Sequence, residues 1–458
     1  MDPHQLSLSQ AALEIREGRV SSAELVRACL DRVKQVEGAV RAWAFIDHDY
    51  AMKQAAAADA LRGEGKAAGR LNGVPVGIKD VFDTGDLPTE FGSPIYKGRT
   101  PRRDAACVAR LRAAGAVILG KTVTCEFAYF HPGPTTNPHD ARRTPGGSSS
   151  GSAAAVAADM VPGAIGTQTN GSVIRPAAFC GVVGFKPTFG LIPRTGMLDM
   201  SRSVDHAGVF ARTVEDAALM AEIMAGYDAG DAATRPIATP PLSAVAAEAP
   251  PLPPRLAFVK TAVWDKAETA TQQAFAELVA ALGDRAGEVE LPSIAQHVVE
   301  LHRTVMEVEI ARSLHREYEE ARDQLSDSLR QAIERGRKHL AVDYRRALDL
   351  MDKVNDAVDE VFGEFDAIMT PAAPGEAPVG LASTGNPVFC TLWTYIGAPA
   401  VTLPLLKGPN GMPMGVQLVG RRGNDARLLR TARWLARTII SPRRGSGAAA
   451  KTGKRGTS

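Results

Sequence analysis

Residues 166–193 read GTQTNGSVIRPAAFCGVVGFKPTFGLIP, and this stretch decides the fold that the sequence predicts. An apolar run at 163–167 leads into it and predicts a buried strand, and a second such run lies at 182–186. Between the two runs, residues 167–172 form a turn rich in glycine and small polar residues. Short buried strands joined in this way are typical of the interior of an α/β sheet.

Strands and helices alternate on both sides of this stretch, which predicts an α/β fold with a mixed, mostly buried sheet. Ser21 and Glu24 have the spacing of a capping box, so a helix begins there and ends before Gly38. The other predicted helices are 50–62, 104–114, 152–160, 214–225, 267–282, 294–322, 340–362 and 424–438. The other predicted strands are 74–79, 116–119, 256–260, 366–369, 400–403 and 414–419.

Two segments stand apart from this alternation. Seven prolines between residues 236 and 254 predict a surface connection, which is either a loop or a domain boundary. The long helical patterns of residues 264–363 predict an insertion packed on the same sheet, because strands resume after them. The Gly, Ala, Lys, Arg and Ser residues of 441–458 predict a disordered basic tail.

Composition excludes several classes of protein. The chain has 458 residues, of which 45% are hydrophobic, and this is enough for a large core. The net charge is +2, and the tail at 441–458 carries five basic residues and no acid, so the folded part lacks the basic field of a nucleic-acid-binding protein. Five isolated cysteines favour a reduced, cytoplasmic protein, and we expect neither a signal peptide nor a membrane span.

The segment 115–122, GAVILGKT, matches the phosphate-binding pattern GxxxxGK[ST] letter for letter. A nucleotide hydrolase is therefore one hypothesis. The four residues between the glycines are strand formers, however, and no helix start follows Thr122, whereas a phosphate loop leads into a helix. The residues favour a strand bounded by two glycines, so nucleotide hydrolysis is a remote alternative.

A second candidate is the loop GGSSSGS at 146–152, which composition alone would make a flexible linker. It runs into a small-residue helix, and 24 residues after Ser148 the glycine-flanked Ser172 appears, where backbone amides could approach a ligand closely. A serine nucleophile needs a base. None of the nine histidines lies in either loop, and those nearest in sequence are His131, His139 and His206. The other option is Lys79, which ends an apolar strand.

These motifs together resemble the amidase signature family. The resemblance rests on Gly77-Ile78-Lys79-Asp80, on the loop 146–152 and on the run 166–193, and it extends over nearly the whole chain. It implies an α/β domain over residues 1–440, with a signature core at 70–215 and a mixed sheet sandwiched between helices. The formal phosphate loop then becomes a strand of the family fold.

The resemblance also implies the roles of individual residues. Lys79 matches the catalytic lysine, Ser148 the bridging serine and Ser172 the nucleophile of a Ser-Ser-Lys triad. The amides of Thr169, Asn170, Gly171 and Ser172 match the oxyanion hole, and no metal or organic cofactor is implied.

Two departures from the family pattern bear on the substrate. Asn170 replaces a glycine, and Arg175 stands three residues after the nucleophile instead of two, as in malonamidase-like members; Gln168 stands where many members have aspartate. Arg175 either supports the fold, for example by pairing with Asp205, or holds a substrate carboxylate. The further pocket candidates are Gln168, Cys125, Tyr129, Phe130 and Trp393, and core packing explains the three aromatic ones equally well.

The sequence therefore predicts an amidase that hydrolyses a carboxamide, with carbamates or esters as related substrates. The alternative is the A subunit of a tRNA-dependent amidotransferase, which shares the fold and triad but acts with partner subunits. For the leading hypothesis we expect a small-molecule substrate without a nucleic-acid or membrane partner. A homodimer is compatible with the sequence.

Overall fold

The computed structural model describes residues 2–67 and 69–440, so the predicted basic tail lies outside the described residues. The strands of this part of the chain are β1 (Trp43–Ile46), β2 (Pro75–Lys79), β3 (Val117–Thr122), β4 (Gly163–Gln168), β5 (Val183–Lys186), β6 (His206–Ala211), β7 (Leu256–Val259), β8 (Ala286–Val289), β9 (Ala367–Pro371), β10 (Ala400–Lys407) and β11 (Pro413–Val419).

All of these strands belong to one sheet, in the order β1-β3-β2-β4-β6-β5-β10-β11-β9-β7-β8. Strand β2 runs parallel to β3 and β4, and β7 runs parallel to β8 and β9, whereas the other neighbouring pairs are antiparallel. The predicted α/β fold with a mixed central sheet is confirmed.

Helices flank this sheet. They are α1 (Leu8–Arg16), α2 (Ser22–Val40), α3 (His48–Gly63), α4 (Ala106–Ala113), α5 (Ser150–Ala157), α6 (Ile174–Cys180), α7 (Val214–Met224), α8 (Leu242–Ala247), α9 (Thr269–Leu282), α10 (Val298–Ser313), α11 (His315–Ala321), α12 (Asp327–Gly336), α13 (Ala341–Asp359), α14 (Val388–Tyr395) and α15 (Asp425–Ile440). The predicted capping box is present at α2, where Ser21 Oγ accepts from the Glu24 amide and the Glu24 carboxylate accepts from the Ser21 amide.

The centre of the sheet is buried and tightly packed. Every residue of β2, β3 and β4 is buried. Helix α5, built from glycine, serine, alanine and valine, packs so closely on this region that a Cβ atom at Gly151 would lie 2.2 Å from the Ala42 carbonyl oxygen. The small residues after the serine-rich loop are therefore a packing requirement rather than the mark of a linker.

Helix α2 continues through Gly38 to Val40, so the predicted end before Gly38 is wrong, and strands β1 and β6 were not predicted. Three further features differ from the sequence predictions. The predicted helix 294–322 is interrupted at Leu314, whose ψ of 24° ends α10 before α11 begins. The predicted helical insertion at 264–363 also contributes strand β8, which pairs in parallel with β7. The proline-rich connection contains the short helix α8.

The topology brings two chain segments of interest to one place. Because β2 and β4 are parallel neighbours, their carboxyl ends, at Lys79 and Gln168, lie at the same edge of the sheet. Helix α5 begins two residues after Ser148, and α6 begins two residues after Ser172. This edge carries the candidate site.

Candidate active site

Lys79 is a buried amine beside a serine. Its Nζ lies 2.8 Å from Ser148 Oγ and 2.7 Å from Thr167 Oγ1. Burial lowers the pKa of Lys79 from its ordinary value to about 7, against a weaker opposing effect of Cys125 and Asp205. At neutral pH a large fraction of this amine is therefore unprotonated and able to accept a proton.

The Ser148 loop is fixed to the surrounding structure on several sides. The peptide bond between Gly147 and Ser148 is cis, and the Ser148 carbonyl accepts from the Cys125 amide at 3.1 Å. Gly146 has φ +83°, and a Cβ atom there would lie 2.7 Å from Cα of Pro176 in α6. The loop that carries Ser148 thus packs directly on the helix that follows Ser172.

Ser172 lies in the turn between β4 and α6 and is 8% exposed. Beneath this turn the side-chain oxygen of Gln168 accepts from the amides of Val173 and Ile174, at 2.9 and 3.0 Å. Within the described residues, the three preceding amides, of residues 170–172, have no protein acceptor. They are free to donate to a ligand, which is the property that an oxyanion hole requires.

A cavity opens over this turn. It is lined by Ala128, Tyr129, Phe130, Thr169, Asn170, Gly171, Ser172, Arg175, Met200, Met306 and Pro387. Its walls are mostly apolar, whereas its floor is the row of free amides and the Ser172 side chain. A small acyl group would fit this cavity with its apolar part against the walls and its carbonyl oxygen toward the amides of the turn.

Three of the six predicted pocket residues, Arg175, Tyr129 and Phe130, line this cavity, and the other three do not. Gln168 is buried under the turn, where its Nε2 donates to Thr394 Oγ1 at 2.9 Å. Cys125 lies beneath Gly147, and Trp393 is buried in the core around α14. Core packing, the alternative explanation for the aromatic candidates, accounts for Trp393.

Arg175 is 2% exposed and serves the scaffold as well as the cavity wall. Its guanidinium donates to the carbonyl oxygens of Gly385 and Gly147 at 2.9 and 2.7 Å and to Thr384 Oγ1 at 3.1 Å. Burial lowers the pKa of Arg175 to about 10. The suggested pairing with Asp205 is wrong, because Arg175 forms no ion pair within the described part of the chain.

Asp205 instead supports the turn and its neighbour. One carboxylate oxygen accepts from Thr169 Oγ1 at 2.5 Å, and the other accepts from the amides of Met200 and Ser201. Burial raises the pKa of this carboxyl to about 7. Asp205 therefore joins the turn to the cavity-lining segment at Met200.

The three nearest histidines do not act on either serine in this arrangement. His139 Nε2 lies 2.9 Å from the Cys180 carbonyl oxygen, and His206 Nδ1 lies 2.7 Å from that of Val204. His131 is exposed and makes no side-chain hydrogen bond with the described residues. Lys79 is the base that the geometry favours.

The segment 115–122, which matches the phosphate-binding pattern, consists of the buried strand β3 and the two residues before it. Lys121 Nζ contacts Asp80 at 3.2 Å, Thr89 Oγ1 at 2.5 Å and the carbonyl oxygens of Phe82 and Pro88 at 3.0 Å each. Because protein groups already satisfy this amine, Lys121 is not available to bind a phosphate.

Among the described residues, no group of three or more His, Cys, Asp or Glu side chains could hold a metal ion. No helix among them has both the length and the apolar character needed to cross a bilayer.

Comparison with known proteins decides the family. A family model described as Amidase matches residues 24–429. This chain belongs to the amidase family. Its resemblance to the amidase signature family, inferred above from the motifs, is confirmed.

Relatives of this chain have names that describe different roles. The A subunit of glutamyl-tRNA(Gln) amidotransferase from Chloroflexus aggregans is 35% identical, over 93% of this chain and 95% of the relative. A structure described as a vestigial protein complex that reveals the origins of an s-triazine catabolic enzyme is 30% identical, with a TM-score of 0.88 over 94% of this chain and 98% of the other. Native peptide amidase from Stenotrophomonas maltophilia is 27% identical, with a TM-score of 0.83 over 96% and 98%.

These findings support an enzyme of the amidase family that acts on C–N bonds. The name of the curated relative favours the alternative hypothesis, an amidotransferase A subunit, over the leading one, a simple hydrolase. The name of the peptide amidase fits the leading hypothesis.

Gly171 gives a first prediction for this chain. A Cβ atom there would lie 2.8 Å from Cβ of Pro387 and 3.2 Å from Cys390 Sγ, so Gly171→Ala must displace the turn. We expect kcat to fall by roughly 10- to 100-fold, since donors must sit within a few tenths of an ångström of the oxyanion.

Steady-state kinetics on a chromogenic amide would measure this effect. Gly38→Ala is the matched control, because nothing lies within 4 Å of a Cβ atom at that position of α2; it should leave kcat unchanged and stabilise the helix by about 1 kcal/mol. Unchanged kcat in Gly171→Ala would contradict the role assigned to the turn.

Proposed function

We propose that this chain hydrolyses a small carboxamide through an acyl-enzyme on Ser172, with Ser148 and Lys79 as the proton relay. The observation that carries the proposal is the 2.8 Å contact between Lys79 Nζ and Ser148 Oγ at a fully buried lysine. A second support is the cavity floor at residues 170–172, whose amides lack protein acceptors among the described residues.

The mechanism follows from the state of the amine. An ordinary lysine is roughly 0.1% neutral near pH 7.4, whereas one with a pKa of about 7 is mostly neutral there. Neutral Lys79 accepts the proton of Ser148, which takes the proton of Ser172 as Ser172 Oγ attacks the amide carbon. The oxyanion that forms accepts hydrogen bonds from the turn.

The relay then runs in reverse. The proton returns through Ser148 to the departing nitrogen, the C–N bond breaks, and ammonia or an amine leaves with the acyl group bound to Ser172. Water attacks this ester, gives its proton to the same relay, and releases the carboxylic acid. One amide and one water thus become one acid and one amine, with no further reagent.

The cavity supports a small, partly apolar acyl group as the substrate class. Tyr129, Phe130, Met200 and Met306 provide apolar contact, and an activated carbamate or ester of similar size would fit the same chemistry. The test is ammonia release by the purified chain from a panel of primary amides, with glutamine included. Release from a simple amide by the chain alone supports the proposal, and activity that requires added subunits contradicts it.

A second candidate is the A subunit of an amidotransferase, and the name of the Chloroflexus relative favours it. In that role the same relay would release ammonia from an amide donor for transfer within a complex, and the partner would include other subunits and tRNA. This would overturn the expectation of no nucleic-acid partner. Co-purification of partner subunits with the native chain, and glutamine as the preferred amide, would distinguish this role.

Arg175 gives a prediction about the acyl side of the cavity. Its three hydrogen bonds go to the chain segments on either side of the site, so Arg175→Leu leaves buried acceptors at Gly147 and Gly385 without a donor. We expect the free energy of unfolding to fall by about 1–3 kcal/mol. Activity should fall on neutral and carboxylate-bearing amides alike.

Thermal melting and kcat/KM on a matched pair of such amides would measure these effects. A loss confined to the carboxylate-bearing amide, with an unchanged melting temperature, would show instead that Arg175 binds a substrate carboxylate.

A further inference from the structure

We infer that His302 and Thr394 are positioning residues of the oxyanion turn, defined here as residues 169–172. They bind the carbonyl oxygens of the two peptide units whose N–H groups, at Asn170 and Gly171, face the developing oxyanion. The inference rests on the proposed function, because it assigns an activity-related role to residues outside the triad.

The geometry of a peptide unit explains why such contacts matter. In a trans peptide the C=O and N–H groups point in opposite directions within one plane. The carbonyl of Thr169 shares its peptide unit with the N–H of Asn170, and the carbonyl of Asn170 shares its unit with the N–H of Gly171. A donor that fixes either carbonyl therefore aims the N–H on the other side, and it also polarises the unit so that this N–H donates more strongly.

His302 supplies the first of these donors. It lies in α10, is 1% exposed, and its Nε2 is 2.8 Å from the carbonyl oxygen of Thr169. A carbonyl oxygen only accepts hydrogen bonds, so Nε2 carries the proton. Burial lowers the pKa of His302 to about 4, so the ring is neutral at neutral pH and places no charge beside the turn.

Thr394 supplies the second donor from α14. Its Oγ1 lies 2.5 Å from the carbonyl oxygen of Asn170 and accepts from Gln168 Nε2 at 2.9 Å. Gln168 provides a proton to this oxygen, so the hydroxyl proton is left for a carbonyl acceptor. Of the two carbonyl oxygens within reach, that of Asn170 is nearer than that of Cys390, which lies at 3.1 Å, and the shorter contact directs the proton at Asn170. One turn earlier on α14, Thr391 Oγ1 donates to the Asn170 side-chain oxygen at 2.8 Å.

His302 belongs to a face of α10 that meets the site along its length. Met306, four residues later, lines the cavity. Glu309, a further three residues on, accepts from the Ser201 hydroxyl and the Ser203 amide at 2.7 and 2.9 Å. The spacing places all three residues on one side of the helix. The helical block at 264–363 thus forms one wall of the site and supports the turn through His302.

A role as general base does not fit His302. Its Nε2 is engaged by a carbonyl oxygen, and neither Ser148 nor Ser172 hydrogen-bonds to it in the part of the chain that the structure describes. The role that remains is to hold the turn so that its amides donate to the oxyanion. Because the oxyanion forms in the transition state, this role stabilises the transition state more than the bound substrate.

The test compares His302→Ala with His302→Gln, whose side-chain amide can replace the donated N–H. For each variant we would measure kcat, KM, the melting temperature and two inhibition constants. One inhibitor is an aryl trifluoromethyl ketone, which forms a tetrahedral adduct with an oxyanion, and the other is the product acid. His339→Gln is the matched control, because His339 contacts Glu307 at 3.3 Å and not the turn.

For His302→Ala we expect kcat to fall by roughly 10- to 100-fold and the ketone to bind more weakly by a similar factor. KM and the product-acid constant should stay within about twofold, since ground-state binding does not depend on the oxyanion donors. His302→Gln should recover most of the loss. Thr394→Val should behave like His302→Ala, and Thr394→Ser should recover.

Several outcomes would overturn the inference. They are a ketone affinity that His302→Ala leaves unchanged, an equal loss in His302→Gln and His302→Ala, or equal losses for the ketone and the product acid. If His302→Ala does not fold, the Thr394 pair and His302→Gln decide in the same way. Activity or ketone binding that survives Ser172→Ala would instead refute the proposed function itself.

Discussion

Replacing Ser172 by alanine is expected to abolish amide hydrolysis while the fold stays intact. Removal of the nucleophile leaves only binding and the oxyanion turn, so kcat should fall by at least about 10⁴-fold. The Ser172 hydroxyl forms no hydrogen bond within the described residues, so its loss should leave the melting temperature almost unchanged.

Steady-state turnover on an amide and thermal melting would check both halves of this prediction. Ser150→Ala is the matched control, because among the described residues Ser150 Oγ forms one hydrogen bond, a long one of 3.5 Å to the Val123 carbonyl oxygen. This variant should keep most of the wild-type rate. A Ser172→Ala protein that is folded and retains substantial turnover would contradict a serine acyl-enzyme at this position.

Lys79→Met should be nearly as damaging, because Ser148 then has no base. In the wild type the rate should rise with pH through about 7, as Lys79 loses its proton and becomes able to accept one. In the residual activity of Lys79→Met this acid limb should be absent. A pH–rate profile of kcat for both proteins would measure it.

Lys186→Met is the control for this experiment. Lys186 is also fully buried, with a pKa lowered by burial to about 7, but it binds the Ala398 carbonyl oxygen at 2.5 Å and lies outside the triad. Its removal should leave the acid limb in place. An acid limb that persists in Lys79→Met would assign it to another group.

The pH dependence of the free energy of unfolding gives an independent test of the lowered pKa of Lys79. The folded-state pKa of Lys79, about 7, lies below the unfolded value of about 10.4, so between these values the unfolded chain binds more protons. The contribution of this group to the free energy of unfolding therefore rises with pH through that window. Chemical denaturation at pH 7 and at pH 10 should show a larger gain for wild type than for Lys79→Met.

Much of the site could be inferred from sequence because its parts are local. Lys79 ends an apolar strand, and Ser148 and Ser172 stand in glycine-containing loops beside short strands, so residue type and position marked them as candidates. Their grouping into one triad rested on the resemblance to the amidase signature family. The parallel pairing of β2 and β4, which brings Lys79 and the turn at Ser172 to one edge, was not predicted and comes from the structure.

The supporting residues could not be found in this way. His302 reaches the turn from 133 residues away, in a helix whose sequence carries no sign of the contact. Strand β1 is a short edge strand, and β6 and β8 are built largely from small residues or mixed with charge, so their patterns fall below the signal that predicts a strand.

Two of the predicted pocket residues, Gln168 and Arg175, make buried polar contacts that the sequence did not indicate. Gln168 replaces an aspartate at a position that suggested substrate contact, yet its amide satisfies the α6 amides and Thr394. Arg175 has backbone partners that no sequence pattern specifies. Buried polar groups find partners through the tertiary fold, so their roles depend on geometry that the sequence does not display.

The site of covalent labelling tests the central claim most directly. The chain would be treated with a fluorophosphonate, which phosphonylates activated serines, and the adduct located by peptide mass spectrometry. We predict one adduct, on Ser172, with a labelling rate that rises through pH 7 in wild type and is strongly reduced in Lys79→Met. An adduct on another residue, or labelling of Ser172→Ala at the wild-type rate, would contradict the proposed mechanism.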